Sequence, residues 1–345
     1  MAAGLVAGAQ GTAHAATIFV PCFGPNGGGA GLVNAINTAN LNAGADTIVL
    51  SPLCPYTLNN VNNNTNGPNG LPAVSTEITI TGNGATIQRN PVGTRPNFRV
   101  FLVSSGGDLT LTGVTVRNGR TAFGAGIRVD GGAALTLNNS VIRNNTANDP
   151  TPGGLAFGGG IFNNTGSVTI RNSTIRDNTA VAEIAAGAGI ASGAGSLTLI
   201  DSTVRGNAAT GGDAAQGGGV WSIFGNTLNI TRGIVTGNTV DAPDVAGAGI
   251  VAAAGGTAQI NGAVVRGNVA TASGATGQAQ GGGIFNGDPM TLRNSVVTVN
   301  VARATGGGTA TGGGVLNEGA LTRQFTAIVA NVPDNCVNSG SGTGC

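Results

Sequence analysis

The 345-residue sequence has no lysine, one histidine (His14), one tryptophan and one tyrosine. Charged side chains make up 8% of it, where a soluble domain usually carries ~25%. Each shortage closes off a class of function. Fifteen arginines against fourteen acidic residues leave a formal net charge of +1, so there is no general electrostatic footprint for nucleic acid. No run of about 18 apolar residues occurs, so no membrane-spanning helix is expected. Residues 1–15 read as the remnant of a secretory signal peptide, ending in the small-x-small pattern Ala13-His14-Ala15. Cleavage there leaves a mature chain with no histidine. Ser-His-Asp and Cys-His nucleophile systems and His-bearing zinc sites then fall away. No cofactor and no metal site is expected.

Glycine is abundant, at 63 residues, against a usual share of ~7%. It has no strict every-third-residue period, which excludes collagen. Hydrophobic residues at 40% argue against a disordered low-complexity chain. A repeat accounts for the composition. Leu-Thr-Leu-like triplets open at Ile78, Leu109, Leu135, Val168, Leu197, Leu228, Ala258, Met290 and Leu321, about thirty residues apart. Ile18 and Ile48 extend the register backward. From Ile78 to Met290 the opener and the residue two later are apolar, as in a half-buried strand; after Leu321 the second of these is Arg323. Seven positions on stands an aliphatic (Val116, Ile142, Ile175, Val204, Val235, Val265, Val297, Ile328). A Gly-x-Gly-Ile/Val strand follows, with Ile127, Ile161, Ile190, Val220, Ile250, Ile284 and Val315.

Three short strands per repeat cannot close a core alone, but stacked rungs bury one continuous aliphatic column. The expected fold is therefore all-β: a right-handed parallel β-helix (solenoid) of about ten rungs with three short strands per rung. Ten positions after the opener stand Asn145, Asn178, Asn207, Asn238, Asn268, Asn300 and Asn331. They are expected to turn the chain in the left-handed conformation and to form a structural amide ladder. On that reading Asn207→Ala costs ~1 kcal/mol, for one lost ladder bond. The segment between this Asn and Gly-x-Gly varies in length and reads as a loop. Gly31–Asn42 reads as an N-terminal capping helix, with Leu32, Ile36 and Ala39 at helical spacing. Asn59–Gly70 reads as a surface excursion. The expected organisation is a cap with first rungs over 16–75, β-helix repeats over 76–331, and a C-terminal cap over 332–345. Four cysteines allow three connectivities. Local pairing, Cys22 with Cys54 and Cys336 with Cys345, is chosen because it ties down both ends and suits an oxidising compartment.

These signatures resemble the bacterial right-handed parallel β-helix repeat proteins of exported and cell-surface type. Gly-Gly-Gly-Ile-x-Asn and Leu-Thr-Leu-x-x-Ser-x-Ile-x-x-Asn cover roughly Thr76–Asn331. Leu32-Val-Asn-Ala-Ile36 is similar to the Leu-Arg-Glu-Ala-Ile part of the Cys-Ser-Leu-Arg-Glu-Ala-Ile motif found at the N-terminus of such proteins, with Val33 and Asn34 in place of Arg and Glu. The resemblance implies fold and export, to the outside or the cell surface of a bacterium. It implies no reaction.

Four surface features are candidates for function. An aromatic track, Phe162, Trp221 and Phe285, follows Gly-x-Gly-Ile/Val at two-rung intervals of ~9.6 Å and suits sugar stacking; alternatively, loops fold over the rings. An arginine row, Arg117, Arg143, Arg176, Arg205 and Arg266, broken by Thr236, reads as a charged edge that deters aggregation or as a grip for acidic polysaccharide. Loop carboxylates Glu183, Asp213 and Asp241, with Asp149 and Asp244 nearby, read as scattered surface acids or as a catalytic cluster. A threonine row (Thr110, Thr136, Thr169, Thr198, Thr291, Thr322), broken by Asn229 and Gln259, reads as a flat ice-binding-like array or, with Arg171 and Arg293 disturbing its flatness, as ordinary strand chemistry, which is preferred.

The functional expectation is a secreted or cell-surface scaffold or adhesion module contacting polysaccharide or a cell-surface glycan, without catalysis. The alternative is a polysaccharide lyase or glycoside hydrolase acting on acidic polysaccharide through Glu183, Asp213 and Asp241. Only under that alternative is Ca²⁺ expected.

Overall fold

A computed structural model describes residues 15–345; positions 1–14 of the expected signal remnant, His14 included, lie outside the described residues. Among the described residues thirty-nine strands form three parallel sheets of 19, 11 and 9 strands, a β-solenoid of about ten turns, with one α-helix beside them. Each opener pairs with the next, from Ile78 with Leu109 through Met290 with Leu321. The backward extension is offset by two residues. Ile48 stands against Ile80, and buried Asp46 occupies the slot beside Ile78.

The first sheet carries the opener strand and the second strand of every rung. A left-handed residue turns the chain between them, for example Asn139 (φ 49°), Asn172 (φ 48°) and Asp201 (φ 50°). The seven-position aliphatics, the openers and the Gly-x-Gly aliphatics are buried in one continuous column. The second sheet is a finding. The segment that reads as a variable loop is strand, as in Thr179–Ala186 and Ala208–Gln216, with a bulge in their pairing. Its inner face is mostly alanine (Ala147, Ala180, Ala209, Ala270, Ala302) and forms a separate buried cluster. The third sheet holds the Gly-x-Gly strands.

The amide ladder is present, and it is richer than one bond per rung. Each Asn Nδ2 donates to the Oδ1 of the next at 2.9–3.0 Å. The backbone N–H of the same residue donates to that same Oδ1 at 2.9–3.1 Å. The ladder starts at the Gly119 N–H and ends on Asn335. The conformational expectation needs correction: the preceding residue, not the ladder Asn, is left-handed, as at Asn144 (φ 54°), Asp177 (φ 54°) and Val299 (φ 56°). That residue makes the corner, which frees the Asn to aim its amide inward. Gly-x-Gly serves the same seam. A Cβ on Gly189 would stand 3.0 Å from Asn207 Nδ2 and 2.5 Å from the Gly219 carbonyl oxygen.

Serines five positions after the opener form a further seam. Ser140 N–H donates to Ser173 Oγ at 3.0 Å, and Ser173 N–H to Ser202 Oγ at 3.2 Å.

The ends are closed as the cysteines suggest, by Cys22–Cys54 and Cys336–Cys345. The helix spans Gly28–Leu41 and buries Leu32, Ile36 and Ala39. At the other end Cys336–Asn338 adds a strand to the third sheet. The excursion over 59–70 does more than cover surface. Its Asn69 is fully buried and accepts from Arg99 Nη1 at 2.6 Å.

Candidate functional site

Alternation in the third sheet turns Ile161 and Val220 inward, so Phe162 and Trp221 point away from the column. They stand two rungs apart, with Ala191 between them in register. Three further rings join them. Phe123 and Phe157 immediately precede the glycine turns of successive rungs and pair with each other. Phe224 follows the third-sheet strand at a left-handed corner (φ 57°) and is 65% exposed.

The rings form a connected set. Phe123 meets Phe157 edge-on at 5.6 Å, Phe157 lies 5.0 Å from Trp221, and Trp221 meets Phe224 edge-on at 6.2 Å. Trp221 is only 9% exposed, and its Nε1 donates to Gln216 Oε1 at 3.0 Å. The rings therefore partly cover one another and partly line a groove of about 330 Å³, whose walls are Phe123, Arg128, Phe157, Phe162, Asn164, Gly193, Trp221 and Phe224.

The polar end of the groove is fixed from below. Arg128 lies 5.6 Å above the Phe162 ring, a cation–π distance. Its Nε donates to Asp130 Oδ1 at 2.7 Å, and Asn66 Nδ2 donates to Asp130 Oδ2 at 2.7 Å. Beneath, fully buried Arg99 donates to the Phe123 and Gly124 carbonyls. Burial first and Arg128 second lower the Arg99 pKa, against Asp130, to about 9; the guanidinium, like any arginine's, keeps its charge at neutral pH. It pins the backbone that carries Phe123.

Of the three track residues, Phe162 and Trp221 line the groove. Phe285 stands two rungs beyond Trp221, past Val251, and packs half-buried against the same apolar cluster. Sequence reasoning passed over Phe123, Phe157, Phe224 and Arg128. The signal was a phenylalanine directly before the glycine turn in two successive repeats.

The carboxylates lie on the second sheet. Half-buried Glu183 sits at the bulge, over the bare backbone of Gly212, next to exposed Asp213 on the following rung. Exposed Asp241 is in register with Thr210, three residues before Asp213. Asp149 and Asp244 have structural work. Asp149 accepts from Thr151 N–H and Oγ1, which holds its pKa below the usual carboxylate value. Asp244 accepts from Gln278 N–H at 2.8 Å. Among the described residues no three His, Cys, Asp or Glu side chains are grouped to hold a metal ion, and no helix is long and apolar enough to cross a membrane.

Three stacked parallel sheets, in-register polar ladders and one capping helix define a parallel β-helix repeat protein. A family model described as "Right handed beta helix region" matches residues 59–297, and the chain belongs to that family. No curated protein shows significant similarity to it. Among solved structures, the A-module of a mannuronan C-5 epimerase from Azotobacter vinelandii superposes with a TM-score of 0.38 at 11% identity, covering 90% of this chain and 84% of that one. That likeness is too slight to say anything of this chain's function.

Proposed function

We propose that the protein is an exported β-helix scaffold, secreted or held at a bacterial cell surface, which contacts carbohydrate through the aromatic groove and carries out no chemistry on it. The groove is the observation that carries this reading. Five rings present apolar faces, and Arg128 and Asn164 supply polar groups at its edge. A concave, mostly apolar wall with few convergent polar groups is the usual form of a small-ligand site. Pyranose rings offer just such apolar C–H faces with hydroxyls around them. Two disulfides suit export into an oxidising compartment.

A glycan array probed with the full chain tests the contact. Phe224→Ala removes an exposed ring without opening the core. It is expected to weaken binding about fivefold, the worth of one aromatic contact of about 1 kcal/mol. In parallel, polygalacturonate with Ca²⁺ is assayed for released fragments, and none is expected. Binding to no glycan refutes the contact; fragment release refutes the absence of chemistry.

A further inference from the structure

The arginine row is not an edge. Its strands lie inside the first sheet, each hydrogen-bonded to a rung above and a rung below. Arg117 pairs in register with Arg143, Arg143 with Arg176, and Arg176 with Arg205. Guarding an open edge against aggregation therefore does not explain them, since no strand edge is open there.

The arrangement is also unfavourable by itself. Like charges directly opposite in a sheet destabilise it, at a strand spacing of about 4.8 Å. Arg143 shows the effect: burial and its neighbours Arg117 and Arg176 disfavour its charged form, opposed by Asp177 alone. Compensation within the chain is thin. Arg176 pairs with Asp177. Arg117 donates to the neutral Gln88 Oε1 at 2.6 Å, and Arg143 to the neutral Asn144 Oδ1 at 2.9 Å. Among the described residues the ion pairs are Arg128–Asp130, Arg176–Asp177 and Arg232–Asp201, so Arg117, Arg143 and Arg205 have none.

The surroundings narrow the ligand. The inward aliphatics Val116, Ile142, Ile175 and Val204 are fully buried, so the arginines project outward. On the other side of each aliphatic a second outward column runs in register: Thr86, Thr115, Val141, Thr174 and Thr203. It sets hydroxyls beside Arg117, Arg176 and Arg205, and the apolar Val141 beside Arg143. None of the strands that carry the row contains an aromatic residue, so single-stranded nucleic acid would find no base-stacking platform there.

We propose that the ladder of Arg117, Arg143, Arg176 and Arg205, with its flanking threonines, is a binding strip for a linear acidic polysaccharide lying along the solenoid axis. The guanidinium groups meet the carboxylate or sulfate groups of successive sugars, and the threonines meet sugar hydroxyls. This strip is on a different sheet from the aromatic groove and does not rest on the reading given to it.

The test is binding of the full chain to immobilised polygalacturonate and to dextran sulfate, at rising salt. The two arms separate carboxylate from sulfate recognition. Methyl-esterified polygalacturonate and a single-stranded oligonucleotide are the comparison ligands. Binding to at least one acidic polysaccharide is expected, weakening as salt rises. Arg143→Gln and Arg205→Gln should each weaken it about threefold, and the triple variant with Arg176→Gln should abolish it. Arg323→Gln, the same charge change on a remote rung, should leave it unaltered. The thermal midpoint of Arg143→Gln should rise as the repulsion is relieved, which also shows that the variant folds. Retention of neither acidic polymer, full binding by the triple variant, equal binding of the methyl ester, tighter binding of the oligonucleotide, or a fall in the Arg143→Gln midpoint would each overturn the proposal.

Discussion

Asn207→Ala probes the amide seam at its middle. The Asn207 side chain is fully buried and takes part in four hydrogen bonds. Nδ2 donates to Asn238 Oδ1 at 2.9 Å and to the Ile175 carbonyl at 3.1 Å; Oδ1 accepts from the Asn178 N–H and from Asn178 Nδ2, each at 3.0 Å. Alanine removes all four. Asn238 Oδ1 keeps the Asn207 N–H as a donor, and Asn178 Nδ2 keeps the Ile142 carbonyl. The Asn178 N–H loses the partner it has across the seam. At about 1 kcal/mol net per bond, the cost is about 3–4 kcal/mol, well above the ~1 kcal/mol expected from one lost bond. Urea melts followed by circular dichroism give the stability change. Hydrogen exchange at the Asn178 amide locates it, because that N–H should lose protection while amides several rungs away keep theirs. A stability change below about 1 kcal/mol, or unchanged exchange at Asn178, would refute the reasoning.

Two further outcomes concern Arg99, beneath the groove, and Asp149, on the second-sheet side. Arg99→Met should cost about 3 kcal/mol, because the Asn69 amide oxygen and the Phe123 and Gly124 carbonyls lose their buried donor; urea melts of the variant beside the parent check this. Asp149 has a folded-state pKa below its unfolded value, so its contribution is complete above about pH 4 and is lost as pH falls through the folded value. Asp149→Asn should therefore lower the thermal midpoint at neutral pH and converge with the parent near pH 2; equal gaps at both pH values would count against the Thr151 hydrogen bonds.

The repeat was readable because its hydrophobic positions are chemically emphatic. Openers such as Leu135 and Val168, and aliphatics such as Ile142 and Ile175, alternate with polar residues at strand period, and the structure pairs them in register. The ladder asparagines recur at a fixed offset, so their stacking followed from the rung. The second sheet was hidden because its inward residues are alanines such as Ala180 and Ala209. Alanine has low β-propensity, and the surrounding glycines suggest a loop; the extended form there is imposed by neighbouring rungs, not by local preference. The left-handed corner lies one residue before the position the repeat suggests, since Asn is acceptable in either place and only the amide's inward bonds decide between them. The groove was half visible. Phe162 and Trp221 belong to the periodic strand, whereas Phe123 and Phe157 close the second-sheet segment that reads as loop and Phe224 lies at a left-handed corner.

The sequence contains one tryptophan, Trp221, and it lies in the groove wall between Phe157 and Phe224. Its emission is therefore a direct reporter on whether sugar enters. Titration of the intact chain with the oligosaccharides bound on the array should give a saturable change in Trp221 fluorescence, diminished by Phe224→Ala. A glycan that binds the protein tightly yet leaves that emission unchanged through saturation would contradict the account.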